Sequence, residues 1–234
     1  MVSIITCTIR DENINNVFKN YKQQSWKNKE LIIILNKDSM NMDRWITEAR
    51  KYRNVQIYQL HEKATLGDCL NFGIMKSNYD IIAKFDDDDY YGPDYIKSSM
   101  AAFKNKDISI IGKNSVFIYF KNKKALIHVT GNENSITDTV AGATLMFRKA
   151  VCQQVPFEKV NRAEDFFFIE QCKEKGFKVF STDRFHFAVI RNDADKHTWK
   201  ISDNELMEWG EIIAFTDDFQ TLVSKNNEDL QNSL

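Results

Sequence analysis

Asp86, Asp87, Asp88 and Asp89 follow directly on the apolar run Ile81-Ile82-Ala83-Lys84-Phe85. In an extended chain successive side chains point to opposite faces, so Asp86 and Asp88 share one side and Asp87 and Asp89 the other. Two carboxylates on one side of a strand end make a small, hard, anionic site of the kind that magnesium, manganese or calcium occupies. A run of four like charges is also what a solvated loop looks like. Here the run caps a strand that reads as buried, and Pro93 begins a helical pattern. An EF-hand loop does not account for it. Counted from Asp87, Gly92 takes the sixth place, but Tyr91 is fifth and Ser98, not Glu, is twelfth. The acids therefore need further ligands from elsewhere in the chain or from a substrate. A second acidic pair, Glu164-Asp165, heads the aromatic run Phe166-Phe167-Phe168. Such a pair is either a general base with its neighbour or a set of charges complementing a helix N-terminus.

The elements that must position these residues alternate. Residues 2–8, 31–35, 55–60 and 79–85 read as strands. Helical patterns lie between them: one through Val17, Phe18 and Tyr21, one N-capped by Asp43 with Trp45, Ile46 and Ala49, and one over 65–77 with Leu66, Cys69, Leu70 and Ile74 inward. Strands apolar on both faces, alternating with helices, predict a parallel sheet of βαβ units. Ligands bind such sheets beyond the carboxyl ends of the strands, where Arg10, Asn36 and the aspartates all fall. Beyond Pro93 the pattern predicts a helix over 94–103, a strand at 108–111 and a hairpin of 116–120 with 126–130. A polar loop at 131–139, a strand at 142–147, a helix over 162–175 closed by Gly176 and strands at 179–180 and 187–190 follow. Leu206, Trp209, Ile212, Ile213 and Phe215 predict a last amphipathic helix before the tail.

At 234 residues the chain suits a single domain with a sizeable core. Its 33 acidic and 32 basic residues set up no strong field toward nucleic acid or an anionic membrane. Cys7, Cys69, Cys152 and Cys172 are scattered singly, which lacks zinc spacing and fits reduced thiols in the cytoplasm. No signal-peptide pattern and no apolar stretch near the roughly 18 residues of a membrane span is present, so membrane association is at most peripheral.

Taken in order, these residues resemble the inverting nucleotide-sugar glycosyltransferases of family 2, which have the GT-A fold. Val2-Ser3-Ile4-Ile5-Thr6-Cys7-Thr8 stands where that family has its first strand, and Gln24-Ser25-Trp26-Lys27-Asn28-Lys29-Glu30-Leu31-Ile32-Ile33 is similar to the approach to its second. Gly67 through Asn71-Phe72-Gly73-Ile74 is similar to the helix before the acidic motif. Phe85-Asp86-Asp87-Asp88-Asp89 with Pro93-Asp94 resembles the metal-binding D-x-D signature. Glu164-Asp165, after Gly142 to Arg148, resembles the acid pair opening the acceptor-side helix.

The resemblance implies an α/β GT-A fold, with a mostly parallel central sheet flanked by helices and a small antiparallel acceptor-side part. It implies a nucleotide-sugar-binding half (1–105), an acceptor-side half (106–200) and a C-terminal helix and tail (201–234). The implied activity moves a sugar from a nucleotide-diphosphate donor, by default UDP-linked, to a saccharide or lipid-linked acceptor in surface polysaccharide or glycoconjugate assembly. Mn2+ or Mg2+ would sit on Asp88, with Asp86 nearer the ribose and the metal waters. His197 would complete the shell, with His186 as the alternate. Asp165 would be the base and Glu164 its neighbour, and packing among Phe166, Phe167 and Phe168 would raise the base's pKa. Donor contacts would come from Thr6, Thr8, Arg10, Asn36, Lys63, Gly67, Asp68, Asn71, Asp86, Asp87 and Arg191. Asp87 and Asp89 face away from the metal side and are also expected to have a structural part.

The sequence departs from the family in three places. Asn36 stands where an aspartate commonly reads uracil, although an amide can both donate and accept. Leu70 stands where an arginine is common, which leaves the phosphates to Arg10, Lys63 or Arg191. No Gln-x-x-Arg-Trp follows the acceptor helix, since Gln171 continues as Cys172-Lys173-Glu174, and this argues against a processive synthase. Two alternatives stay open. A sugar-nucleotide pyrophosphorylase would need a glycine-rich phosphate loop, which Thr8-Ile9-Arg10-Asp11-Glu12 does not supply. A calcium-dependent carbohydrate-binding protein would bind sugar without turnover.

Overall fold

The computed structural model of the chain describes residues 1–192 and 201–224. Strands β1 (Val2–Thr8), β2 (Lys29–Leu35), β3 (Val55–Gln59) and β4 (Ile81–Lys84) run parallel, joined through helices α1 (Ile14–Gln23), α2 (Met42–Ala49) and α3 (Leu66–Lys76). The strands are rich in isoleucine because both faces are covered. Strand alternation sorts them: Ile4, Ile33, Leu35 and Ala83 meet Phe18 and Trp45 on one face, while Ile5, Ile34 and Ile82 meet Leu70 and Ile74 on the other. Helix α1 buries Ile14, Val17, Phe18 and Tyr21, one stripe at helical spacing. Helix α2 begins two residues earlier than the sequence suggests: Asn41, not Asp43, accepts from the Arg44 N–H as N-cap. Asp43 sits in the first turn instead, complementing the helix dipole.

The second part of the chain weaves into the first. After β5 (Tyr90–Tyr91) and α4 (Tyr95–Ala102) come β6 (Ile108–Gly112), the hairpin of β7 (Val116–Phe120) and β8 (Ala125–Val129), β9 (Ser135–Ile136) and β10 (Met146–Arg148). Helix α5 (Glu164–Glu174), β11 (Lys178–Ser181) and β12 (Phe187–Arg191) follow. The large sheet has the order β3-β2-β1-β4-β10-β6-β11-β9, with β10 inserted antiparallel between β4 and β6. Helix α5 packs Phe168, Ile169 and Cys172 on the same face of this sheet as α3.

Three segments differ from expectation. Within 131–139, Ser135 and Ile136 form β9, an edge strand on β11. The segment at 142–147 is a 3-10 turn, Gly142–Thr144, that only then enters β10. The apolar residues at 206–215 do not share one helix. A short α6 (Asp203–Met207) ends, and β13 (Glu211–Phe215) pairs antiparallel with β8, before α7 (Phe219–Ser224). Gly210 lies so close to the His128 carbonyl that a Cβ would approach it to 2.4 Å. The β-branched Ile212 and Ile213 then suit an extended edge strand, since spacing alone does not separate the two readings. Strand β13 closes a second sheet of order β13-β8-β7-β12-β5, in which only β7 and β12 run parallel. Among the described residues, no helix is long and apolar enough to cross a membrane.

Candidate active site

The acid run leaves β4 at the carboxyl edge of the large sheet, and alternation divides it as expected. Asp87 and Asp89 are buried, while Asp86 and Asp88 keep 35% and 18% of their side-chain surface. Asp87 accepts from the Thr8 hydroxyl and from Arg10 Nε (3.1 Å) and Nη2, and Arg10 Nη2 also lies 3.0 Å from Asp88 Oδ2. Burial opposes the charge on Arg10, but the paired aspartates outweigh it and hold the guanidinium protonated. Asp89 accepts from the Ile190 N–H at 3.0 Å, and burial pushes its carboxyl well above the usual range.

The backbone of the run is fixed from α1. Asn16 Nδ2 donates to the carbonyls of Asp87 and Asp89 at 2.9 Å each, and Asn20 Nδ2 donates to that of Asp89 at 2.8 Å. These two amides lie four residues apart, on one side of the helix. Tyr91 fixes the other flank. Its hydroxyl accepts from the Asp86 N–H (2.8 Å) and donates to the Ala143 carbonyl (2.7 Å), with its ring stacked on Phe85 at 3.8 Å between centroids. The roles of Asn16, Asn20 and Tyr91 were not expected from the sequence; two asparagines in the middle of an amphipathic helix were the available signal.

The 3-10 turn Gly142–Thr144 carries this link to the second acid pair. A Cβ on Gly142 would fall 1.5 Å from Asp165 Oδ2, so the base candidate lies flat against this glycine. Asp165 Oδ1 also accepts its neighbour Phe166's N–H at 2.8 Å. Ala163 precedes the pair in the left-handed conformation (φ 60°), which turns the chain sharply into α5. Phe166 and Phe167 point outward, 55% and 41% exposed, so they do not bury Asp165 as expected. Glu164 is the buried member, and burial pushes its carboxyl up against the opposing pull of Lys84.

Lys84 joins the two acid sets. It projects from β4 on the face where α5 packs, with Nζ 2.6 Å from Asp86 Oδ1 and 3.9 Å from Glu164 Oε1. The sequence signal was a lone lysine inside an aliphatic strand, two residues before Asp86. Lys84 and Arg10 are thus set against six carboxyl groups: the four of the run, Glu164 and Asp165. Among the described residues, no three histidine, cysteine or acidic side chains converge into a complete metal cage. Two part-exposed carboxylates in a surplus of negative charge fit a divalent cation that takes its other ligands from phosphate oxygens and water.

Other expected donor residues are placed as follows. Thr6 is buried in β1, on the same face as Thr8. Asn36 donates to the His61 carbonyl at 3.0 Å, and Lys63 is exposed just beyond. The α3 set turns to the protein itself. Asn71 bonds both the N–H and the carbonyl of Phe157, and Asp68 closes a capping box with Thr65. Gly67 lies under the Glu158 carbonyl, where a Cβ would approach to 1.7 Å. These residues dock segment 157–161 ahead of α5. Arg191 is likewise buried, against Asp203 (3.2 Å) and the Ile201 carbonyl (2.7 Å), and not turned to a phosphate. His186 does not join the acid run. It sits at φ 66° over Gly92, faced by Lys113, Asp183, Asp94 and Lys97, and burial lowers its pKa. His197 lies outside the described residues.

The sequence matches the profile of Glycosyl transferase family 2 over residues 3–199. Among solved structures, TarS 1–349 of S. aureus is similar, with a TM-score of 0.62 and 16% identity, over 81% of this chain and 60% of that one. The same protein in complex with UDP-GlcNAc gives 0.64 and 14%, over 81% and 58%. The mannosyltransferase PcManGT from Pyrobaculum calidifontis, in complex with GDP-Man and Mn2+, gives 0.63 and 11%, over 81% and 56%. The chain therefore spans less than two thirds of these neighbours' length, and at these identities the likeness is one of fold. No curated protein matches the chain.

Proposed function

The chain belongs to glycosyl transferase family 2 and has the GT-A fold, and from that premise we propose an inverting transfer of a sugar from a nucleotide-diphosphate sugar to a saccharide or lipid-linked acceptor. The observation that carries this reading is the meeting of the Asp86–Asp88 side of the run with the Glu164–Asp165 pair across Lys84. One acid set serves a donor diphosphate and the other an acceptor hydroxyl. Asp165 takes the proton from that hydroxyl as its oxygen bonds to the anomeric carbon. The bond from that carbon to the diphosphate oxygen breaks on the opposite face, which inverts the configuration. A divalent cation, Mn2+ or Mg2+, held by Asp88 with Asp86 beside it, would supply positive charge where the departing diphosphate accumulates negative charge.

The donor-side contacts are Thr6, Thr8, Asn36, Lys63 and Asp86, with Arg10 and Asp87 shaping the run from beneath. The neighbour structures hold UDP-GlcNAc and GDP-Man, and we assign uridine here on Asn36. One N–H of its amide goes to the His61 carbonyl, and this orientation presents Oδ1 as the acceptor that a uracil N3–H requires. Residues 1–105 carry most of the donor side and 106–200 the acceptor side. Four free cysteines suit a cytoplasmic enzyme in surface polysaccharide or glycoconjugate assembly.

The test is a thermal-shift series with UDP, GDP and their sugars, with and without Mn2+, on the wild type and on Asp165→Asn. A ligand that binds only the folded state raises the melting temperature by mass action. Metal-dependent UDP binding is expected in both proteins, with turnover in the variant falling about 10²–10⁴-fold. Full turnover by Asp165→Asn, or sugar binding without any nucleotide binding, would sink the reading.

A further inference from the structure

Resting on the transferase reading above, we propose that Lys84 is a positioning residue: an internal cation that ties Asp86 to Glu164 and leaves Asp88 as the principal carboxylate for a divalent ion. Strand β4 is otherwise aliphatic, and a lysine is almost never fully buried unless it is paired. Here the side chain is 6% exposed and its Nζ has two anionic neighbours, Asp86 at 2.6 Å and Glu164 at 3.9 Å. The first belongs to the loop after β4 and the second to the first turn of α5, 78 positions further along the chain (164 − 86).

Without that ammonium, two carboxylates would face each other across a buried space, and like charges so placed disfavour ionisation and closeness alike. The lysine therefore sets the spacing between the donor-side loop and the start of α5. Asp165 follows Glu164 directly, so the same contact sets where the base stands.

The lysine also competes with metal. An ammonium 2.6 Å from Asp86 Oδ1 occupies a lone pair that a cation would use, and its charge repels a second cation nearby. Asp88 is the less exposed of the two and also meets a cation, but its contact with Arg10 at 3.0 Å is longer than the 2.6 Å contact that holds Asp86. Removing the Lys84 charge should therefore move two quantities in opposite directions: metal affinity up and turnover down. A merely structural role would lower both.

The experiment compares wild type, Lys84→Met, Lys84→Gln and Lys84→Arg. Mn2+ alone is titrated and free ion counted by electron paramagnetic resonance, beside donor-dependent kinetics. Lys84→Gln keeps a polar group in the pocket should the methionine variant fold poorly. The expected result is Mn2+ affinity at least about tenfold higher in Lys84→Gln and Lys84→Met, a difference of ~1.4 kcal/mol. In the same variants kcat should fall about 10²-fold with donor KM nearly unchanged, because misplacing a catalytic group by about 1 Å has that effect. Lys84→Arg should restore wild-type Mn2+ affinity and most of kcat. Unchanged Mn2+ affinity in the neutral variants, or failure of arginine to rescue, overturns the proposal. A Mn2+ shift as expected in a protein that transfers no sugar would instead overturn the transferase reading and leave the role of Lys84 standing.

Discussion

Gly142→Ala separates the stability of this fold from the placement of its base. The glycine has an ordinary backbone conformation, so alanine is allowed there, and its added methyl meets Asp165 first: 1.5 Å to Oδ2, 2.4 Å to Cγ and 2.7 Å to Cβ. Turning the carboxylate off its rotamer relieves the contact at Oδ2 but not the one at Cβ, whose place the backbone sets, so the start of α5 must also shift, and overpacking of this kind costs about 1–3 kcal/mol. Glycine to alanine also restricts the unfolded chain and returns about 0.4–1 kcal/mol. The cost exceeds the return, so stability should fall by roughly 1–2 kcal/mol. Turnover should fall about 100-fold, because the proposed base is moved by about an ångström from the acceptor proton. That loss is about 2.7 kcal/mol in the barrier. Donor titration should match wild type and urea unfolding should shift only by that modest amount, while transfer to acceptor collapses. Turnover within threefold of wild type, or a stability loss as large as the activity loss, would refute the placement of Asp165 against this turn.

Further outcomes follow from neighbouring groups. Tyr91→Phe leaves the Asp86 N–H and the Ala143 carbonyl without their partner, whereas Tyr95→Phe releases only the Thr144 carbonyl. At about 1–3 kcal/mol for each buried group left unsatisfied, Tyr91→Phe should cost roughly twice as much in urea unfolding; equal losses would contradict the bridge. Lys113 is buried beside Thr182 and Asp183, and burial brings its pKa from 10.5 down to about 8. Between those values the unfolded chain holds a proton that the folded chain lacks, so this group makes stability rise with pH from about 8 to 10.5. Unfolding of Lys113→Met measured at several pH values should lack that rise, a difference growing to about 3 kcal/mol at most; parallel pH curves would rule it out.

Much of this was readable from residues alone. The isoleucine-rich strands and the helices between them fall where periodicity puts them, and the alternation of the aspartates matches the buried Asp87 and Asp89 against the part-exposed Asp86 and Asp88. What could not be read is whatever depends on partners distant in sequence. That Gly67, Asp68 and Asn71 meet segment 157–161 has no local sign. Nor do the aspartates that Arg10 and Arg191 face show themselves beside those arginines in the sequence. The 206–215 run fits a helical stripe, and only pairing with β8 makes it a strand. Lys84, Asn16 and Asn20 were visible as oddities of pattern, a charge in a strand and amides in a helix, but nothing local says what they hold.

The place of β10 between β4 and β6 bears on how the protein comes into being. Strand β4 completes its pairing with a segment emerging more than sixty residues later, between positions 146 and 148. During synthesis, the edge that bears the acid run must wait uncovered until that segment leaves the ribosome, and such distant closure makes for slow assembly. A fragment stopping at residue 105 would thus keep all four aspartates and still expose a raw sheet edge to its neighbours. The part that carries the acid run is in this sense not a removable module but a surface finished by the other half.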